Sequence, residues 1–286
     1  MKGAAALLIA PALIGAFLLR PDATDPDARP QAAAAPIDVA ALPLHLEDLT
    51  WPEVDAFLEA GRRTVIVPTG GTEQNGPHMI LGKHNRVVRA TAERIARQLG
   101  DALVAPVLSY VPEGDPRKKQ GHMAFPGTIS ISEQTFTEVL VSTAESLRVH
   151  GFTTVAFISD SGDSQRAQAR AVEQLQKRWQ EGAARALHVS AYYSDNGQAG
   201  WLQEQGETDA AIGRHAGIRD TSELLAVHPE GVRTDRARPG HAREMTSSGV
   251  DGDPTRASAA RGRKMLDLKV AAAVRQIRAR RESGAR

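Results

Sequence analysis

The 286-residue sequence contains no cysteine. That absence excludes disulfide bonds, thiolate nucleophiles, cysteine zinc sites and a lipoprotein anchor through cysteine. A positive excess is also missing, because 35 Lys and Arg residues against 34 Asp and Glu residues give a formal net charge of +1. A protein that binds nucleic acid over a general surface needs a strong positive excess. We therefore expect no nucleic-acid partner.

The N-terminal residues read as a targeting segment. Residues 3–19 form an uncharged apolar run behind Lys2, and a stretch rich in Pro, Asp and Arg follows. The run is long for the apolar part of a signal peptide and short for a spanning helix, so both remain open. We predict that residues 1–36 form a signal peptide or membrane anchor plus a disordered linker. The protein is then exported and either periplasmic or anchored to the inner membrane by residues 3–19, its one expected membrane contact.

From residue 37 onward, apolar β-branched runs alternate with amphipathic helical segments. The runs at 64–68, 102–107, 153–158 and 187–193 predict buried parallel strands. This alternation predicts one domain, residues 37–286, folded as a three-layer α/β/α sandwich with a mostly parallel sheet. It ends in a long helix at 255–281, whose basic residues, Lys269 among them, we assign to a solvated face.

Chemically active side chains cluster after the first three predicted strands. The carboxyl ends of parallel strands meet at one sheet edge, so these loops should converge. They carry the acidic, imidazole and hydroxyl groups of Glu73, His78, His84, Glu113, His122, Asp160, Ser161 and Asp163. Such groups suit a divalent cation such as Zn²⁺ or Mn²⁺, although solvated loop residues have the same composition.

A second candidate is His215 with Asp220. An imidazole beside a carboxylate can transfer a proton, with the carboxylate fixing its tautomer. The same stretch also suits a helix start with Asp220 or Thr221 as the N-cap, so the residues alone leave both interpretations open.

Five segments, in order, resemble motifs of the creatininase (creatinine amidohydrolase) family. They are EQNGPH with GKH at 73–84, FPGTIS at 125–130, SDSGDS at 159–164, HAG with TS at 215–222, and GVDGDPTRA at 249–257. The resemblance implies a creatininase-like α/β fold and a homo-oligomer, in that family often a hexamer. It also implies a metal-dependent hydrolase, with Zn or Mn, that acts on C–N bonds other than peptide bonds in small cyclic amides.

The resemblance places metal ligands at Glu73, Asn75, His84, Ser161 and Asp163. Asn75 and Ser161 stand where the family has histidines, and His84 stands where it has a bridging aspartate. A neutral imidazole offers one lone pair and cannot bridge two cations as a carboxylate does. We therefore expect one metal ion rather than two, held by Glu73, His84 and Asp163, with Asp160 or His122 as alternative ligands and water completing the shell.

The catalytic residues implied by the resemblance are Glu73, His215 and Asp220. His215 matches the family's proton-transferring histidine, and Asp220 is one carbon shorter than that histidine's usual glutamate partner. The leading hypothesis is an exported, metal-dependent hydrolase of an amide or other C–N bond in a small cyclic substrate. Two alternatives are a metal-free hydrolase or lyase that uses Glu73 and His215, and a non-catalytic relative that binds a small molecule on the same scaffold.

Overall fold

Four parallel strands form the centre of the computed structural model, which describes residues 37–180 and 182–283. The strands are β1 (Thr64–Thr69), β2 (Ala102–Val104), β3 (Thr154–Ser159) and β4 (Arg185–His188), in the order β2-β1-β3-β4. All three pairings are parallel, with Thr64 opposite Ala102 and Thr154. The side chains of β1 and β3 are buried on both faces, as their unbroken apolar sequences predict.

Helices cover both faces of this sheet. They are α1 (Trp51–Glu59), α2 (Lys83–Leu99), α3 (Glu133–Val149), α4 (Gln165–Arg178), α5 (Gln198–Glu204), α6 (Asp209–Ile212), α7 (Ile218–Val227), α8 (Met245–Ser248) and α9 (Ala259–Ser283). One core packs α1, α3 and α4 against the sheet, and a second core packs α2 and α9 against its other face. The predicted three-layer α/β fold with a parallel sheet is therefore confirmed.

Short 3₁₀ helices occupy several of the connections. They lie at Leu46–Asp48, Gly121–Ala124, Ser190–Tyr192, Pro229–Gly231, Thr234–Arg236, Ala242–Glu244 and Pro254–Arg256. The second of them carries His122, in the long polar loop after β2.

Two strands differ in length from their predictions. β2 ends at Val104 because the next donor position on β1 is Pro68, which has no N–H. The Ala105 N–H still donates to the Ile66 oxygen at 2.8 Å, and pairing resumes where the Leu108 N–H donates to the Pro68 oxygen at 3.0 Å. β4 begins at Arg185 and ends at His188, before the 3₁₀ turn that buries Tyr192 in the core beside α2 and α9. A continuous apolar run thus marked the location of each strand better than its ends.

The described residues, 37–180 and 182–283, form one compact unit by their internal contacts. The predicted signal peptide or anchor and linker, residues 1–36, lie outside the described residues, so export stays a prediction. In the part of the chain that is described, no helix is long and apolar enough to span a membrane. Assembly into a homo-oligomer likewise stays a prediction.

Candidate active site and metal centre

The loop after β1 folds back onto the first turn of α2. At Gly70 a Cβ atom would overlap the Asn85 side chain, so only glycine allows this approach. The Gly71 N–H donates to Asn85 Oδ1 at 3.1 Å, which ties the turn to the helix. Glu73 in this loop therefore faces Lys83 and His84 at the start of α2.

Two of the segments that carry the family resemblance support the site. One contacts the loop that carries Glu73, and the other contacts the segment around His215. The Ile129 N–H donates to the Thr72 oxygen at 2.9 Å, so the FPGTIS segment supports the backbone beside Glu73. Further along, His215 and Asp251 pair as an antiparallel bridge, with N–H to oxygen distances of 3.2 and 2.9 Å. The GVDGDPTRA segment thus fixes the position of His215.

A cavity of about 320 Å³ opens between these loops at the carboxyl ends of β1 and β3. Its wall is rich in charged and imidazole side chains, namely those of Glu73, His84, Glu113, His122, Asp160, Asp163, Arg214, His215, Arg219, Asp220, Glu223, Asp251 and Lys269. Ser161 and Tyr193 add hydroxyl groups. The predicted convergence of the loops at this edge is thus present in the structure.

His84 lies between two carboxylates. Its Nε2 is 2.6 Å from Glu73 Oε1, and its Nδ1 is 2.8 Å from Asp160 Oδ2. Burial and the nearby Lys83 favour the neutral ring, but Glu73 and Asp160 outweigh them and raise the pKa of His84 to about 10. In the imidazolium form His84 donates from both nitrogens and has no lone pair left for a metal ion in this arrangement. Lys83 Nζ also lies 3.1 Å from His84 Nδ1.

Two buried lysines complete the same charged cluster. Lys83 Nζ is 2.9 Å from Asp220 Oδ1 and 3.6 Å from Asp160 Oδ2. Lys269 Nζ is 2.7 Å from Asp160 Oδ1 and 2.8 Å from Glu223 Oε2. The assignment of Lys269 to a solvated face of the C-terminal helix was wrong, because this side chain is only 6% exposed.

Glu73 also faces two histidines across the cavity. Its Oε2 lies 3.2 Å from His122 Nδ1, and its Oε1 lies 3.9 Å from His215 Nδ1. The Gln74 side-chain nitrogen is 3.1 Å from both His122 Nδ1 and His215 Nε2, and Gln74 Oε1 accepts from the Gly76 N–H at 2.9 Å. Glu73 and the two histidines are therefore held as one group.

This group fits a single divalent cation. Each of Glu73, His122 and His215 offers a donor atom, and the three atoms lie within 4.8 Å of one another. One carboxylate with two imidazoles is a donor set that proteins use for zinc. Burial lowers the pKa of His215 to about 4, and the nearby Glu73 only partly offsets that shift, so the ring is neutral. When His215 Nε2 donates to the Gln74 main-chain oxygen at 2.9 Å, the lone pair on Nδ1 remains for a ligand.

The other predicted ligands are placed differently. Asn75 donates its amide to the Glu73 main-chain oxygen at 3.0 Å, and Ser161 Oγ donates to Glu113 Oε2 at 3.3 Å. Asp163 lines the cavity but does not belong to the group of three donors. In this arrangement Asn75, Ser161 and Asp163 therefore do not complete a ligand set for two ions.

Asp220 is held by groups other than His215. Its Oδ1 accepts from Lys83 Nζ, and its Oδ2 accepts from the Ala216 N–H at 2.7 Å. The predicted hydrogen bond to His215 is not among those of the described residues. Burial would raise the pKa of Asp220, but Lys83 holds it well below its usual range. Asp220 thus starts α7 and neutralises Lys83 in this arrangement.

Glu113 is a buried carboxyl group beside Glu73. Burial first, and then the negative charge of Glu73, raise the pKa of Glu113 to about 9. It is therefore a neutral acid at pH 7, while its Oε1 is buried with no hydrogen-bond partner in the described part of the chain. The sequence shows Glu113 only as one acid in a polar loop.

A parallel α/β fold with an acid and two imidazoles in a cavity at the strand ends has the layout of an enzyme. The chain belongs to the creatininase family, because the family model for creatinine amidohydrolase matches residues 47–277.

Named relatives and solved structures agree with this family. The mycofactocin precursor peptide peptidase of Mycolicibacterium smegmatis is 30% identical over 71% of this chain and 79% of its own. The creatinine amidohydrolase of Pseudomonas putida is 26% identical over 66% of this chain and 74% of its own. A solved structure described as "Creatininase Mn" superposes with a TM-score of 0.70 at 23% identity, covering 83% of this chain and 98% of that one.

Proposed function

We propose that the protein is a metal-dependent hydrolase that cleaves an amide or other C–N bond in a small cyclic substrate. One observation carries the proposal: Glu73, His122 and His215 converge on one cavity with donor atoms close enough to share an ion. Membership of an amidohydrolase family supports the same reaction class. The ligand set differs from the predicted Glu73, His84 and Asp163 by two residues.

Glu73, His122 and His215 would hold the ion, which when bound would polarise a carbonyl group and lower the pKa of a bound water to about 7. The imidazolium of His84 would hold Glu73 in position, since it donates to Glu73 Oε1. Gln74 would orient the two histidines through its side-chain and main-chain contacts. These contacts keep the donors in place before substrate arrives.

The charge of the cluster favours one ion over two. Within salt-bridge distance, the carboxylates of Glu73, Asp160, Asp220 and Glu223 face the cations of Lys83, His84 and Lys269, which leaves one negative charge in this group. Arg219 acts on Asp220 from farther away, so the surroundings are no more negative than this count. One divalent ion would reverse that to one positive charge, and two would leave three. Each uncompensated charge in a buried site costs several kcal/mol, so a second ion is disfavoured.

The size of the cavity supports a small substrate. Pockets for small molecules usually have volumes of about 300 to 1,000 Å³, and this one, at about 320 Å³, is near the lower end. A cyclic amide fits the name of the creatinine amidohydrolase relative. The mycofactocin precursor peptide peptidases make a peptide the alternative substrate class. Separate panels of cyclic amides and of short peptides, followed by mass spectrometry, distinguish the two classes.

Metal content after equilibration with Zn²⁺ or Mn²⁺ and removal of free ion tests the proposal. We expect one ion per chain in the wild type, and roughly a hundredfold weaker binding in His122→Ala, because a ligand is lost. Asp163→Asn is the matched comparison, since Asp163 lines the same cavity outside the proposed donor group. Loss of metal in Asp163→Asn but not in His122→Ala would support the ligands predicted from sequence instead.

A second candidate function is metal-free acid–base chemistry, or ligand binding alone, by Glu73 and His215. The direct contacts of Glu73 with the two histidines favour it, because the carboxylate and the imidazoles can pair with one another without an ion. The His215 Nδ1 lone pair would in that case accept a proton instead of binding an ion. Wild-type protein that binds no Zn²⁺ or Mn²⁺ would favour this candidate, and turnover in chelator would separate catalysis from binding alone.

A further inference from the structure

Two arginines of the cavity wall stand apart from its other cations. Arg214 and Arg219 line the cavity, and each directly precedes a residue of the site, His215 or Asp220. Lys83 and Lys269 each have two carboxylates within salt-bridge distance. Neither arginine side chain has a hydrogen bond or ion pair with any described residue. Arg219 acts on the Asp220 carboxylate only at longer range, where it helps to lower the pKa of that group, and Arg214 is exposed at the cavity mouth.

Arg219 also occupies an unfavourable position in its own helix. It is the second residue of the ten-residue helix α7, where the positive end of the helix dipole disfavours a cation. Asp220 already accepts the Ala216 N–H at this end, so the helix start does not need Arg219. A cation kept in this place, with no hydrogen-bond or salt-bridge partner among the described residues, is available to a ligand in the cavity.

No acid of the cavity wall forms a salt bridge with these arginines in the described part of the chain. Asp163 and Asp251 line the same cavity, yet neither forms an ion pair with Arg214 or Arg219 in the part of the chain described. Both guanidinium groups thus remain available to a molecule in the cavity. Arginine presents paired N–H donors whose spacing matches the oxygens of a carboxylate or phosphate.

We propose that Arg214 and Arg219 bind an oxyanionic group, carboxylate or phosphate, on the substrate of this cavity. This inference rests on the proposed function, because it names the class of amide that the site accepts: one that carries a negative charge. The pair would orient the substrate with its amide toward Glu73, His122 and His215. Arg214 and Arg219 are then specificity residues, since they do not contact the reacting bond.

Isothermal titration calorimetry with matched probes tests this inference. N-acetylglycine carries an amide and a carboxylate, and N-acetylglycinamide is its neutral counterpart. Protein that has been stripped of metal with EDTA and then exchanged into chelator-free, metal-free buffer prevents either probe from binding through a metal ion. We expect N-acetylglycine to bind at least about tenfold more tightly than the neutral probe, because charge-assisted hydrogen bonds are the stronger ones. Inorganic phosphate, titrated separately, reports whether phosphate is the preferred oxyanion.

Variants assign the preference to the two arginines. Arg214→Ala and Arg219→Ala should each reduce it, the double variant should abolish it, and Arg219→Lys should retain part of it. Arg236→Ala, an exposed arginine outside the cavity lining, is the matched control and should bind as the wild type does. Circular dichroism confirms that each variant is folded.

The inference is overturned if N-acetylglycine and N-acetylglycinamide bind with the same measurable affinity, or if none of the three probes binds. It is also overturned if the preference for the charged probe survives in the double variant. Tight phosphate binding without N-acetylglycine binding would support a phosphate-bearing substrate. The titrations need neither metal nor turnover, so they can fail while hydrolysis is found. Equally, the preference can hold in a protein that never hydrolyses an amide.

Discussion

Replacing Lys269 by methionine removes a buried cation from between two carboxylates. Lys269 Nζ lies 2.7 Å from Asp160 Oδ1 and 2.8 Å from Glu223 Oε2, and these side chains are 6%, 2% and 3% exposed. At an effective dielectric constant of about 20, each contact has a gross attraction of roughly 6 kcal/mol. Much of that is offset by the cost of burying the charges, so we expect a net loss of about 3–5 kcal/mol.

Urea unfolding and thermal unfolding measure this loss. For a domain of this size, about 3–5 kcal/mol corresponds to a decrease in Tm of roughly 6–20 °C. Lys177→Met is the matched control, because Lys177 Nζ lies at the same 2.7 Å from Glu173 Oε1 but both side chains are about two-thirds exposed. Removal of that pair should cost no more than about 0.5 kcal/mol.

Two further variants make the reasoning refutable even if Lys269→Met folds poorly. Lys269→Arg keeps the charge and should lose less stability than Lys269→Met. Lys269→Met/Glu223→Gln removes one of the orphaned charges and should recover part of the loss, by roughly 1–2 kcal/mol. If Lys269→Met costs no more than Lys177→Met, or if the double variant is less stable than the single one, Lys269 is not the counter-ion of this cluster.

Two other expectations concern the scaffold around the site. His78 is fully buried, and its Nε2 contacts Thr221 Oγ1 at 2.9 Å. Burial lowers the pKa of His78 to about 4, so as the pH falls the unfolded state is protonated at this residue before the folded state. Stability should therefore be full above pH 6.5 and fall by at most about 3 kcal/mol towards pH 4. Urea unfolding across this range should show a flatter dependence for His78→Asn than for the wild type, and an unchanged one for the exposed control His150→Asn. Gly262→Ala should destabilise the domain by more than 1 kcal/mol, because the added Cβ would overlap the Ser222 carbonyl where α9 meets α7. Gly200→Ala in α5 meets open space and should stabilise by about 1 kcal/mol, and thermal unfolding that gave both changes the same sign would contradict this geometry.

The sequence was sufficient to predict the sheet and the edge that holds the site. Buried parallel strands have short, continuous apolar sequences. The sequences of β1 and β3 are of this kind, and every residue of both strands is buried. The convergence of Glu73, His122 and Asp160 follows from topology, because the loops after neighbouring parallel strands open at the same edge. Neither inference needed the details of the loops.

The partners of each side chain were not predictable in the same way. His84 and Asp163 are both polar residues near strand ends, and nothing in the sequence says that one is clamped between carboxylates while the other stays at the wall of the cavity. His122 lies in a long polar loop whose path depends on contacts such as that with Gln74. Local patterns fix where a loop starts, and distant contacts fix where its side chains go.

The sequence does contain a signal that Lys269 is buried, and the assignment of this residue to a solvated face did not take that signal into account. It lies three residues after Leu266 and four before Ala273, both buried, so helical spacing places it on the apolar stripe of α9. A charge on that stripe requires a partner on the element packed above it. Here the partners are Glu223 on α7 and Asp160 at the end of β3.

The two buried lysines give the changed ligand positions a common physical explanation. Where the family resemblance places a bridging aspartate, this chain has the cation of His84, and the Lys83 and Lys269 ammonium groups lie in the same cluster. A second divalent ion would lie among these three fixed positive charges, and they would repel it. The chain itself thus supplies the positive charge that the Asp160, Asp220 and Glu223 carboxylates require, while Glu73 keeps one oxygen directed towards His122. The metal site proposed here would hold one exchangeable cation, because its charge balance would not depend on a second.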